Sequence, residues 1–129
     1  MIEEQSPYAL IGGEEGLKKL VQQFYVNVET CPEAAELRAM HQKDMTMVAE
    51  KLFEYLSSWL GGPNLYQKKY GSMCIVKPHA PFSIGIDARD QWLFCFFKTL
   101  DDLDTTDEVR EMLREPIQRV ADFLRNQKD

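Results

Sequence analysis

Apolar residues recur every three to four positions through four stretches of this chain, and nowhere do they alternate as in a half-buried strand. After Gly12 and Gly13 come Glu14 and Glu15, then Leu17, Leu20, Val21, Phe24, Tyr25 and Val28 on one helical face. The two glutamates suit the positive end of a helix dipole. A second long helix carries Met45, Val48, Ala49, Leu52, Phe53, Tyr55, Leu56, Trp59 and Leu60, and Gly61-Gly62-Pro63 stops it. A third is predicted over 87–103, with Trp92, Leu93, Cys95, Phe96, Thr99 and Leu100 inward. A fourth starts near Thr106 and carries Val109, Met112, Leu113, Ile117, Val120, Ala121 and Leu124, with a kink expected at Pro116. The fold class is therefore all-α.

The 129 residues suffice for a core without disulfide or metal staples, and they read as a single domain over 1–129. Fifteen basic against twenty-one acidic residues leave a net charge of −6, which argues against nucleic acid or anionic membrane as partner. No apolar run approaches a membrane span, and the N-terminus lacks the basic and apolar regions of a signal peptide. Cys31, Cys74 and Cys95 are odd in number and widely spaced, as in a cytoplasmic protein with free thiols, though a single bridge such as Cys31–Cys74 is compatible with the spacing.

Between the second and third helices, residues 64–85 read as an irregular stretch, long enough to be functional rather than a mere connection. It holds Lys77-Pro78-His79-Ala80-Pro81-Phe82, in which two prolines stiffen the backbone around one histidine. An imidazole so held can face a large flat apolar ligand walled by helices, and a haem is the obvious candidate, with His79 as axial ligand. A surface or capping histidine satisfies the same pattern. Tyr25 and Trp92 each read equally as core aromatics. His41 reads as a solvated residue after a helix end, and Lys51 as a lysine lying along the apolar face or as a partner for an acidic ligand. No P-loop, GxGxxG or zinc spacing is present, and a Cys74–His79 nucleophile pair lacks an orienting third residue. Met40, Met45 and Met47 are most simply adaptable packing.

Phe24-Tyr25, Trp59-Leu60-Gly61-Gly62-Pro63, Tyr66, His79-Ala80-Pro81-Phe82 and Arg89-Asp90-Gln91-Trp92-Leu93 occur in an order that resembles the group II truncated haemoglobins. The resemblance runs from about residue 8 to 124. It implies a two-over-two helical sandwich around one haem b, with His79 as the proximal iron ligand. It further implies Tyr25 and Trp92 as distal hydrogen-bond donors. His41 falls where many members carry tyrosine, and a histidine there would make the third distal hydrogen bond pH-sensitive. Val48 falls near the position of the distal histidine of ordinary globins. Lys51 and Tyr66 match positions that reach the haem propionates, and Leu52, Tyr55, Leu56, Phe82, Ile86 and Phe96 match apolar walls.

The function implied is reversible binding of dioxygen, nitric oxide or other diatomic ligands. Several distal donors in a dry pocket would slow oxygen release, which suits a sensor, scavenger or redox catalyst better than a carrier. A haem redox enzyme (peroxidase, nitric oxide dioxygenase or nitrite reductase) served by a separate reductase is the second implication. A haem-free helical interaction module is the third.

Overall fold

The computed structural model describes residues 6–41, 43–72 and 84–126, and among these every regular element is helical. The elements are α1 (Pro7–Leu10), α2 (Gly13–Thr30), a 3₁₀ turn (Pro32–Ala34), α3 (Ala35–Ala39), α4 (Thr46–Trp59) and α5 (Leu65–Tyr70). Two long helices follow, α6 (Ile86–Asp102) and α7 (Asp107–Phe123).

Most of the expected boundaries hold, for the expected reasons. Thr106 caps α7, accepting from the Val109 N–H at 3.3 Å, with Asp107 and Glu108 in the first turn. Pro116 lies within α7, which runs as one continuous helix from Asp107 to Phe123. Gly61 ends α4 with a φ of +93°, a conformation that L side chains rarely adopt. Gly62 lies so close beneath Tyr8 that a Cβ there would stand 2.5 Å from the ring. The Tyr8 N–H donates to the Leu60 carbonyl at 3.0 Å, so α1 is sewn onto the end of α4 at this double glycine.

Two short helices depart from the sequence reading. Residues 65–70, expected to be irregular, form α5, which ends at Gly71 with a φ of +75°. The four residues of α1 form a single turn capped by Ser6. Neither is long enough to display a helical period, so periodicity gave no sign of them.

Helix α2 packs on both α4 and α6, and α6 also packs on α7, which gives two pairs of long helices. Their shared core includes Leu17, Leu20, Phe24 and Val28 of α2, Leu56 and Leu60 of α4, Phe96 and Leu100 of α6, and Leu113 and Ile117 of α7. Burying each such side chain contributes about 1.5–3 kcal/mol. A polar seam crosses the α2–α6 contact. Asn27, only 2% exposed, donates from Nδ2 to Thr99 Oγ1 and Asp102 Oδ2, each at 3.1 Å, and Thr99 donates to the Cys95 carbonyl.

Candidate functional site

One face of α4 turns away from the centre of this core. Val48, Lys51, Leu52 and Tyr55 recur at helical spacing there and line an apolar cavity, with Leu56 at the border between cavity and core. The cavity encloses about 1260 Å³ of atom-free space, its open mouth included. Opposite stand Ile84, Ala88, Arg89 and Trp92 at the start of α6, and Ile117, Val120, Ala121 and Leu124 from the end of α7. Asn126 holds these two ends together, its N–H donating to the Ile84 carbonyl at 2.9 Å and its Oδ1 accepting from the Ile84 N–H at 2.8 Å. The third side comes from Tyr25 of α2 and from Leu37, Met40 and His41 around α3.

Three polar groups, Trp92, Tyr25 and His41, interrupt the apolar lining where the α6 wall meets the α2–α3 side. The Trp92 ring stacks on Phe96, centroids 5.5 Å apart and planes at 13°, and leans on Phe24 at 5.2 Å. Those contacts fix the indole while its N–H finds no hydrogen-bond partner among the described residues. Tyr25 is set edge-on against both Phe24 (5.0 Å) and His41 (6.1 Å), and its hydroxyl likewise has no partner among the described residues. Burial raises the Tyr25 phenol well above its ordinary pKa, so it stays a protonated donor.

His41 is oriented from behind. Its Nδ1 lies 2.8 Å from the Leu37 carbonyl, an acceptor, which assigns the ring proton to Nδ1. The neutral ring then offers Nε2 as an acceptor, and only the imidazolium offers a donor there. The Leu37 N–H in turn donates to Gln91 Oε1 at 2.9 Å, so the residue before Trp92 holds the segment bearing His41.

At the mouth, Lys51 is exposed and has no ion-pair partner among the described residues. Lys69, on α5, is by contrast engaged by Glu54 (3.2 Å) and Glu50 (3.7 Å). Tyr66 of α5 is 8% exposed and lines the cavity edge-on to Tyr55.

Of the expected site residues, Tyr25, His41, Val48, Lys51, Leu52, Tyr55, Leu56, Tyr66 and Trp92 share this one cavity. Phe96 does not line it but lies behind Trp92, 1% exposed. Ile86 is half-buried at the start of α6 and is not part of the lining. His79 and Phe82 lie outside the described residues, as does Cys74. Sequence reasoning missed the wall formed by Ile117, Val120, Ala121 and Leu124 and the presence of Arg89. In the sequence those four apolar residues read as core of the last helix, since a core face and a cavity face have the same composition.

A family model, bacterial-like globin, matches residues 6–126. The chain belongs to the bacterial-like globins. It is 34% identical over 122 residues to the group 2 truncated hemoglobin YjbI of Bacillus subtilis, covering 95% of this chain and 89% of that protein. The group II 2-on-2 hemoglobin of Agrobacterium tumefaciens superposes with a TM-score of 0.93 at 35% identity, covering 98% of each chain. The truncated oxygen-avid haemoglobin of Bacillus subtilis superposes at 0.85 and 34% identity, over 95% of this chain and 100% of that one. The all-α architecture is thus the two-over-two sandwich of truncated globins, and membership of the globin family implies a haem. The cavity suits one. Its walls match an apolar macrocycle, Lys51 stands exposed at its mouth where a carboxylate could reach it, and Tyr25 and Trp92 have donors that no described residue occupies. No helix among the described residues is long and apolar enough to cross a membrane.

Proposed function

We propose that this globin is a cytoplasmic protein that binds dioxygen, and other diatomic ligands such as nitric oxide, reversibly at the iron of haem b, with His79 as the protein ligand of that iron. When bound, haem would supply an iron that can hold a diatomic molecule and polarise it toward partial negative charge. Every further contribution comes from side chains. Trp92 and Tyr25 donate to that charge from positions already fixed by Phe24 and Phe96, so no reorganisation is required when the ligand arrives. His41 assists as an imidazolium, whose Nε2–H donates, whereas the neutral ring presents Nε2 only as an acceptor. Lys51 and Tyr66 hold the propionates at the mouth, while Leu52, Tyr55 and Leu56 exclude water.

The observation that carries this reading is the pair of donors, Tyr25 and Trp92, that have no partner among the described residues and meet on adjoining walls of an apolar cavity. A donor that faces an apolar cavity can serve a ligand placed there, and a hydrogen bond to a charged acceptor contributes about 1.5–3 kcal/mol. A ligand that accepts from both gains that contribution twice. The wild-type protein should purify with a Soret band and bind dioxygen when reduced. His79→Gly should lose haem or hold it weakly, and added imidazole should restore the spectrum. A His79→Gly protein with an unaltered five-coordinate histidine spectrum would refute the assignment.

A further inference from the structure

We propose that Tyr55, Tyr66 and Tyr70 form a conduit carrying oxidising equivalents from the haem cavity to the surface. There Tyr70 would oxidise phenolic reductants too large to enter the cavity, with hydrogen peroxide as the oxidant. The inference rests on the haem reading of the cavity.

Three phenols lie in sequence from inside to outside. Tyr55 and Tyr66 both line the cavity, their ring centroids 5.4 Å apart and planes at 89°. Tyr66 then meets Tyr70 at 4.6 Å and 44°. Tyr70 takes no part in the lining and is 41% exposed. The rings are near enough for an electron to pass from one to the next without crossing a saturated gap. Its direction follows from the neighbours on each side of the cavity. The other oxidisable aromatics of the wall, Tyr25 and Trp92, make their ring contacts with Phe24, Phe96 and His41, and phenylalanine is far harder to oxidise than a phenol. Among the described residues, no ring contact leads on from that side to a further phenol or indole. The α5 side leads outward.

The surface end is also electrostatically suited. Lys69 Nζ lies 5.6 Å from the centre of the Tyr70 ring, where a lone cation would oppose oxidation. Glu54 and Glu50 pair with that same lysine and offset its charge beside the ring. Burial, and then the neighbouring Tyr66, hold the Tyr55 phenol above its usual pKa, which favours return of its proton after each transfer.

The stoichiometry closes. One molecule of hydrogen peroxide takes two electrons and two protons and leaves as two waters. In each of two successive passes, Tyr70 loses an electron inward through Tyr66 and Tyr55 and its phenolic proton to water. The inner phenols are oxidised and reduced again in turn, and end unchanged. The Tyr70 radical then takes a hydrogen atom from a phenol, so two phenols become two phenoxyl radicals per peroxide.

The test uses haem-loaded protein, verified by its Soret band, mixed with hydrogen peroxide and the spin trap 2-methyl-2-nitrosopropane. The trapped residue is located by peptide mass spectrometry. The wild type should carry the adduct on Tyr70, and haem-loaded Tyr66→Phe should lose it there while Tyr55 gains it. Tyr70→Phe should keep its Soret band and dioxygen affinity yet lose peroxide-driven oxidation of a polymer-tethered phenol. Where Tyr66→Phe fails to hold haem, Tyr55→Phe must show the same loss at Tyr70. Adducts confined to Tyr25 or Trp92, or a Tyr70 adduct that survives both inner substitutions, would overturn the conduit. A wild-type protein with no Soret band would overturn the haem reading, and the conduit with it.

Discussion

At the scale of single residues, the distal wall separates two functions that one tryptophan combines. The Trp92 ring packs on Phe96 and Phe24, and its N–H stays available. Trp92→Phe keeps the stack and removes the donor. A hydrogen bond to a charged partner is worth about 1–3 kcal/mol, so dioxygen should dissociate roughly 5- to 150-fold faster from the variant. Stopped-flow ligand displacement measures this directly, and an unchanged rate would reduce Trp92 to packing alone. Gln91 is its neighbour in the sequence but works through the backbone. It holds the Leu37 N–H, whose residue's carbonyl holds His41, so distal groups from α3 and α6 are set against each other within a few bonds.

At the scale of elements, the α2–α6 contact fixes how far Tyr25 stands from Trp92. Asn27 is its polar centre, and the bond from Asn27 is the chief reason the Asp102 carboxyl is held below the usual carboxylate range, with Lys98 and Gln23 adding to it. A depressed carboxyl stabilises the fold above its unfolded value, and that contribution is lost as pH falls through the folded one. Asn27→Ala should therefore destabilise the protein by about 1–3 kcal/mol at neutral pH. The deficit should narrow as pH falls from about 4, the unfolded value, through the depressed folded one, where the native Asp102 takes its proton and the wild type loses the same bond. Urea midpoints at pH 7 and at acid pH check both statements. A deficit independent of pH would show that the Asp102 bond adds nothing to folding.

At the scale of the whole molecule, the cavity draws one wall from α2 and α3, one from α4, and one from α6 with α7. A ligand filling it bridges elements far apart in sequence and binds only the folded chain. Such a ligand at a hundredfold excess over its Kd adds about 2.7 kcal/mol. For a domain of this size that corresponds to roughly 8–14 °C in Tm. Removal of haem should lower Tm by at least this much, and readdition should restore it. Calorimetry of the apo and reconstituted protein measures the difference, and equal melting temperatures would show that the cavity does not hold the group.

The sequence by itself determined the long helices, because each spans enough turns for its apolar period to be read and ends at residues with a mechanical reason to stop it, such as Gly61, Gly62 and Thr106. It also marked Tyr25, His41, Lys51, Tyr66 and Trp92, through their place in an ordered set of motifs rather than through any property of each residue alone. Tertiary structure decided the rest. Apolar residues that fill a core and those that face a cavity have the same chemistry, so Val120 and Leu124 came to line the cavity only once α6 and α7 met. The edge-on contact of Tyr55 with Tyr66 and the Gln91 bond that ties the His41 segment to α6 arise between segments brought together by packing, and a linear order of residues contains none of those distances.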